Sequence, residues 1–289
     1  MSLPHDFSEP DESLPQPVAD AAFGPAAPEP VLFAPLEPVA FPVKPSCPAW
    51  SWWDLLAVLG FSLFAVLAFS VTALFVAHSF PQYRNAPISE LVTNARIIVG
   101  AQAAAYPFVL LGIFFLVRSR ANQRFRDAIQ WNWPGRSALM MFASGVILAV
   151  TIEGLSRFLP MPKSLPVDSY FTDATSAYIM AAFGTTLAPL LEEVLFRGLL
   201  YPLARRSFGL VAAIAVTALA FAGIHGAQLG YAWAPVLSIF VVGVAFTSVR
   251  ARTSSVANSF MMHCGYNFTL FAMLWLASDH YRHLEKVSG

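Results

Sequence analysis

Two adjacent glutamates and an arginine stand in "APLLEEVLFRG", residues 188–198, inside a stretch otherwise apolar enough for a lipid bilayer. On a helix Glu193 and Arg197 are i and i+4, so they can pair on one face. Glu192 then points about 100° away, free to face another group. Two further apolar stretches carry polar pairs at the same spacing: Phe221 with His225, and His263 with Asn267. An ionisable residue at membrane depth costs at least a few kcal/mol, so it points to function when it faces protein or water.

The residue types suit one chemistry well. A glutamate in an apolar site can act as general base toward water, and a histidine beside it can orient that water, relay a proton or assist a leaving amine. Asparagine can donate to an oxyanion without adding charge. Together these parts fit hydrolysis of a carbonyl by activated water. No serine or cysteine stands in a nucleophile arrangement, and neither G-x-S-x-G nor H-E-x-x-H occurs. Glu192, His225 and His263 would also make a zinc shell with an open position, so metal-free and metal-bound variants both stand.

Each feature has a plainer reading. Glu193 with Arg197 is expected to support a neighbour more than to do chemistry, and Glu153 with Arg157 reads as an ion pair near a span end. A lone membrane histidine often serves only as a hydrogen-bond donor, and Cys264 reads as a small packing residue. A carboxylate pair, two histidines and an asparagine on three spans are harder to explain as packing.

The elements that must position these residues follow from composition. Of 289 residues 57% are hydrophobic and only 12% charged, with a mean hydropathy of +0.60. A soluble domain carries about 25% charged residues, so the expected fold is an all-α, polytopic transmembrane bundle. A span needs about 20 apolar residues, and seven stretches are placed at about 54–77, 94–117, 137–156, 176–202, 208–225, 231–250 and 256–277. Lysine and arginine in the loops set orientation. Lys44, Arg118, Arg120, Arg124, Arg126, Arg136, Arg205, Arg206, Arg250 and Arg252 fall on one side, which predicts a cytoplasmic N-terminus and an external C-terminus. All seven tryptophans lie near span ends, as membrane-interface rings do. Net charge is zero with scattered basic residues, so no nucleic-acid partner is expected, and Cys47 and Cys264 do not suggest a disulfide framework.

Residues 1–49 hold twelve prolines, seven acidic residues and one lysine, and read as a disordered acidic tail. The remaining divisions are N-terminal transmembrane helices over 50–134, a core over 135–277 and a C-terminal tail over 278–289.

Three segments, "EEVLFR" (192–197), "FAGIH" (221–225) and "HCGYN" (263–267), resemble the motifs E-E-x-x-x-R, F-x-x-x-H and H-x-x-x-N of the CPBP intramembrane proteases, which include type II CAAX prenyl endopeptidases and Abi-type members. The resemblance covers about residues 135–277. It implies a helical bundle with a polar cavity in the membrane. Glu192 would activate water together with His225, His263 and Asn267 would stabilise the oxyanion, and Glu193 with Arg197 would support the site. Family members have been read both as metalloproteases and as metal-free glutamate enzymes, and the second is the expectation taken here. The implied partners are membrane lipid and a peptide or lipidated-protein substrate, in a bacterial cytoplasmic membrane; oligomeric state is not legible. A proton-coupled transporter and a non-catalytic scaffold acting through the tail are the alternatives.

Depth imposes a condition. At 1.5 Å per residue from the basic side, the expected ends put Glu192 about 15 Å deep, His263 about 10 Å and His225 about 24 Å. They meet only if the fourth span runs beyond its apolar run, through Arg205 and Arg206.

Overall fold

The computed structural model of the chain describes residues 48–286, which form an all-helical bundle. The tail expected over 1–49, with Cys47, lies outside the described residues as far as position 47. The helices are α1 (Trp52–Ser79), α2 (Ile88–Leu91), α3 (Ala95–Arg120), α4 (Phe125–Ala128), α5 (Ala138–Ser156), α6 (Ala174–Thr185), α7 (Leu187–Glu193), α8 (Tyr201–His225), α9 (Trp233–Thr253) and α10 (Val256–Ala277). A π-helical segment, Val194–Leu200, joins α7 to α8.

Six continuous helical runs among the described residues are long and apolar enough to cross a membrane, and the chain is an integral membrane protein. The fourth run, Ala174–His225, is 52 residues long and is folded double. Gly209 sits at φ 81 and ψ −175, outside helical space, and beyond it the chain returns so that Phe221 packs on Phe196 with centroids 5.5 Å apart. That φ/ψ combination is essentially restricted to glycine. The folded run supplies two passes, which makes seven among the described residues.

Placing the reversal at Gly209 corrects the expected end of the fourth span at 202. The helix continues through Arg205 and Arg206 to Phe208, since Pro202 falls in the first turn of α8, where a proline is tolerated. Glu193 lies sixteen residues before the reversal and His225 sixteen after it, so the two arms bring them to one level. The depth condition is met in this way.

Side-chain contacts sort the loops into two ends. At one end Arg120 holds Asp54 (Nη2 to Oδ1, 2.8 Å), Trp52 donates to Ser207, Arg206 donates to the Pro48 carbonyl and Asn132 donates to the Ser254 carbonyl. The described residues read from sequence as the basic side therefore share one end, and Lys44 lies outside the described residues. At the other end Arg96 holds Asp173 at 2.9 Å and Trp275 donates to the Tyr178 hydroxyl.

Packing is tightest where α5 crosses α10. A Cβ on Gly145 would lie 2.0 Å from the Met262 carbonyl oxygen, and one on Gly265 would lie 2.1 Å from that of Phe142. Small residues bring membrane helices to backbone contact. Gly265 does this for α10, whereas Gly223 has open space around its Cβ position.

Four side chains depart from expectation. Trp50 is not an interfacial ring: it is 2% exposed, and its Nε1 donates to the Leu199 carbonyl. Arg250, counted among loop charges, is buried. Glu153 and Arg157 are both exposed and no ion pair joins them, because their backbone leaves α5 at Ser156. Within the segment divided off as the C-terminal tail, Tyr281 is buried, and its hydroxyl donates to the Phe271 carbonyl.

Candidate active site

Helix α7 begins at a break. Thr186 has φ −123 and ψ −75, and Pro189 offers no N–H to the Thr185 carbonyl, so the helical ladder is interrupted one turn before the glutamates. The Gly184 carbonyl beside this break accepts from Asn267 Nδ2 at 2.7 Å. Asn267 thus ties α10 to the end of α6 and commits one of its two amide hydrogens there.

Glu193 and Arg197 pair as their spacing predicts, at 2.9 Å, with neither side chain exposed. A buried pair tolerates burial only when its remaining donors and acceptors are filled, and here they are. Arg197 also donates from Nη2 to the Gly243 carbonyl at 3.1 Å and from Nε to Thr247 Oγ1 at 3.3 Å. Its guanidinium carbon lies 4.5 Å from the Phe221 ring centroid and 5.4 Å from that of Phe246, in cation–π range. Glu193 accepts from Ser259 Oγ at 2.6 Å and faces His263 Nδ1 at 3.0 Å.

These partners fix the state of His263. A carboxylate held by arginine and serine is an acceptor, so His263 Nδ1–H donates to it and Nε2 points the other way. Nε2 faces Glu192 Oε2 at 3.7 Å. That is too long for a direct hydrogen bond, and a water could reach both atoms only from beside the pair. His263 therefore stands between the two glutamates, bonded to the buried one and open toward the other. Glu192 is 17% exposed whereas Glu193 is sealed.

His225 is placed differently. Its Nδ1 donates to the Phe221 carbonyl at 2.8 Å, and its ring lies 4.8 Å from that of Phe221, whose other contacts include His263 at 5.7 Å. Both histidines thus expose Nε2, and one aromatic ring touches both. No ion pair joins His225 to Glu192 among the described residues. The structure brings Glu192, Glu193, Arg197 and His263 into one linked group, with Asn267 at its α6 side and His225 across Phe221.

Among the described residues no three histidine, cysteine, aspartate or glutamate side chains converge to hold a metal ion, and each of His225 and His263 bonds a protein oxygen through Nδ1, which leaves Nε2 as its only nitrogen for one.

Four contributors were missed from sequence: Ser259, Gly243, Thr247 and Arg250. A signal for Ser259 existed, since 259, 263 and 267 form one i, i+4, i+8 stripe on α10. Gly243, Thr247 and Arg250 form a similar stripe on α9, but nothing in sequence says what it faces.

Residues 174–269, 96 of the 289, match the family model described as type II CAAX prenyl endopeptidase Rce1-like, in agreement with the resemblance carried by the three motifs. No curated protein and no solved structure matches the chain.

Proposed function

We propose that the protein is an intramembrane endopeptidase that hydrolyses a peptide bond with water activated by Glu192. The observation that carries the reading is His263 held between two glutamates, Nδ1 on Glu193 and Nε2 toward Glu192. The Rce1-like match over the same segments supports the reaction class.

In this mechanism a water sits beside the pair, within reach of Glu192 Oε2 and His263 Nε2. Glu192 takes its proton as the water oxygen bonds to the scissile carbonyl carbon. The second amide hydrogen of Asn267 donates to the oxyanion that forms. When the carbon–nitrogen bond breaks, the proton held by Glu192 passes to the leaving amine, with His225 Nε2 as relay. Glu193 and Arg197 make no bond to substrate; they keep His263 in one tautomer and one orientation. No step is routed through a metal.

The substrate we propose is a membrane-associated peptide, in the CAAX case one bearing an isoprenoid thioether near its C-terminus. The basic end of the bundle is proposed to face the cytoplasm of a bacterial cell. The test is cleavage of a farnesylated fluorogenic peptide, and of the same peptide without the lipid, by protein in vesicles. Glu192→Ala is expected to abolish cleavage while insertion is unchanged; activity retained in that variant sinks the proposal. Cleavage of the unmodified peptide at an equal rate would keep the protease and remove the lipid from its substrate.

A further inference from the structure

The segment carrying Arg197 is π-helical, and one of its carbonyls finds no partner within the helix. The Tyr201 N–H donates to the Phe196 carbonyl, five residues back. The next residue is Pro202, which has no N–H. The Arg197 carbonyl, four residues before Tyr201 and five before Pro202, is therefore denied both of its helical partners. Buried carbonyls need a donor, and this one is filled from another helix: Arg250 Nε of α9 donates to it at 3.1 Å.

Arg250 is itself fixed. It is 4% exposed, its guanidinium lies over the Tyr201 ring, and Nη2 donates to Gln130 Oε1. Gln130 is pinned in turn, since its carbonyl accepts from Val256 N at the start of α10. Two residues beyond Arg197, the Leu199 carbonyl takes a second outside donor, Trp50 Nε1 at 3.1 Å.

A π turn carries one residue more than an α turn, so reverting to α geometry rotates everything on one side of it by about 100° relative to the other. The upstream side bears Glu192 and Glu193, and the downstream side bears Tyr201 and Leu203, both in the core. Only the π register lets both sides keep their packing.

We infer that Arg250 is a positioning residue for the reaction. By donating to the Arg197 carbonyl it holds the π register that keeps Glu192 aimed at His263, and Trp50 assists from the other side. The kinetic part of this inference rests on the proposed protease activity, whereas the clamp itself does not.

The experiment uses the full chain in vesicles, with two readouts on each variant: kinetics on the farnesylated fluorogenic peptide, and deuterium uptake of peptides covering 194–203 and 138–156. For Arg250→Met, kcat is expected to fall about ten- to a hundredfold, the size that small misplacements produce, with KM within about twofold. Uptake should rise in 194–203 and stay unchanged in 138–156. Arg250→Lys, which keeps one donor, should recover part of kcat. Trp50→Phe, which keeps the ring and loses the N–H, should show a smaller loss of about two- to threefold with the same local exchange.

Unchanged kcat and unchanged uptake in Arg250→Met overturn the inference, as does a rise in KM alone or an equal rise in uptake throughout the chain. If Arg250→Met does not insert, Arg250→Lys and Trp50→Phe decide by the same criteria. If the wild type cleaves neither peptide, the protease reading falls and the exchange pattern alone decides the clamp.

Discussion

At the scale of single residues, the site is a chain of donors ending on one carboxylate. Arg197 gives Nη1, Ser259 its hydroxyl and His263 its Nδ1–H, all to Glu193. Removing one partner of a buried ion pair leaves an uncompensated charge and costs about 3–5 kcal/mol. Arg197→Met is accordingly expected to lower the thermal unfolding midpoint in detergent sharply. Ser259→Ala removes one charge-assisted hydrogen bond, about 1.5–3 kcal/mol, and should lower the midpoint less than Arg197→Met does. A midpoint for Arg197→Met equal to that of Ser259→Ala would contradict the pair's role. Phe221 explains why an aromatic precedes His225 by one turn: its carbonyl orients the imidazole while its ring lies against the Arg197 guanidinium.

At the scale of elements, two glycine positions control how helices meet. The α5–α10 crossing has no room for a methyl group, because at Gly145 and Gly265 the obstructing atoms are backbone carbonyls that cannot turn aside. Gly265→Ala should cost about 1–3 kcal/mol, as overpacking does, and should lower activity by shifting His263 and Asn267 on the same helix. Gly209→Ala has free space but the wrong backbone, and strain of about 1–3 kcal/mol is expected. A thermal midpoint unchanged in either variant would contradict these accounts. The start of α6 supplies a pH dependence. Asp173 caps it; burial pushes its pKa up, but the Ser176 N–H and the Arg96 guanidinium outweigh that and hold it at about 2, below the ordinary 3.8. A lowered carboxylate pKa stabilises above the ordinary value, and that contribution fades as pH falls through the folded-state value. Asp173→Asn should melt below wild type at pH 6, and the gap should close between about pH 4 and pH 2.

At the scale of the whole molecule, hydrogen bonds and ion pairs place the N-terminal entry, the α3–α5 connection, Arg205–Arg206 and the α9–α10 turn at one end of the bundle. The odd number of passes puts residue 48 and residue 281 at opposite ends. In a Cys47→Ser, Cys264→Ala background, single cysteines at Arg252 and Arg282 should label from opposite sides of intact cells, with Arg252 shielded from outside reagents. Labelling of both from one side would remove one pass from the count. The core is also continuous: Val109 and Ile113 of α3 share it with Leu199, Phe221 and Met262, so the helices before 134 pack directly on those that carry the site.

Much of the fold and part of the site follow from sequence because they depend on local quantities. Apolar run length places the spans, and i, i+4 spacing pairs Glu193 with Arg197 whatever surrounds them. Basic residues in short loops mark one end because charge avoids hydrocarbon. What only the tertiary structure decides is where the partners of these residues come from. Serine 259, threonine 247 and the Gly243 carbonyl become ligands of the ion pair through helix crossings that no periodicity specifies. The level of His225 depends on one glycine at 209, whose open conformation turns a single helical run into two arms of equal reach. The π segment is the clearest case: at α spacing Pro202 would leave the Gly198 carbonyl unserved, and only the π register moves the gap to Arg197, whose carbonyl is served by an arginine 53 residues away on α9.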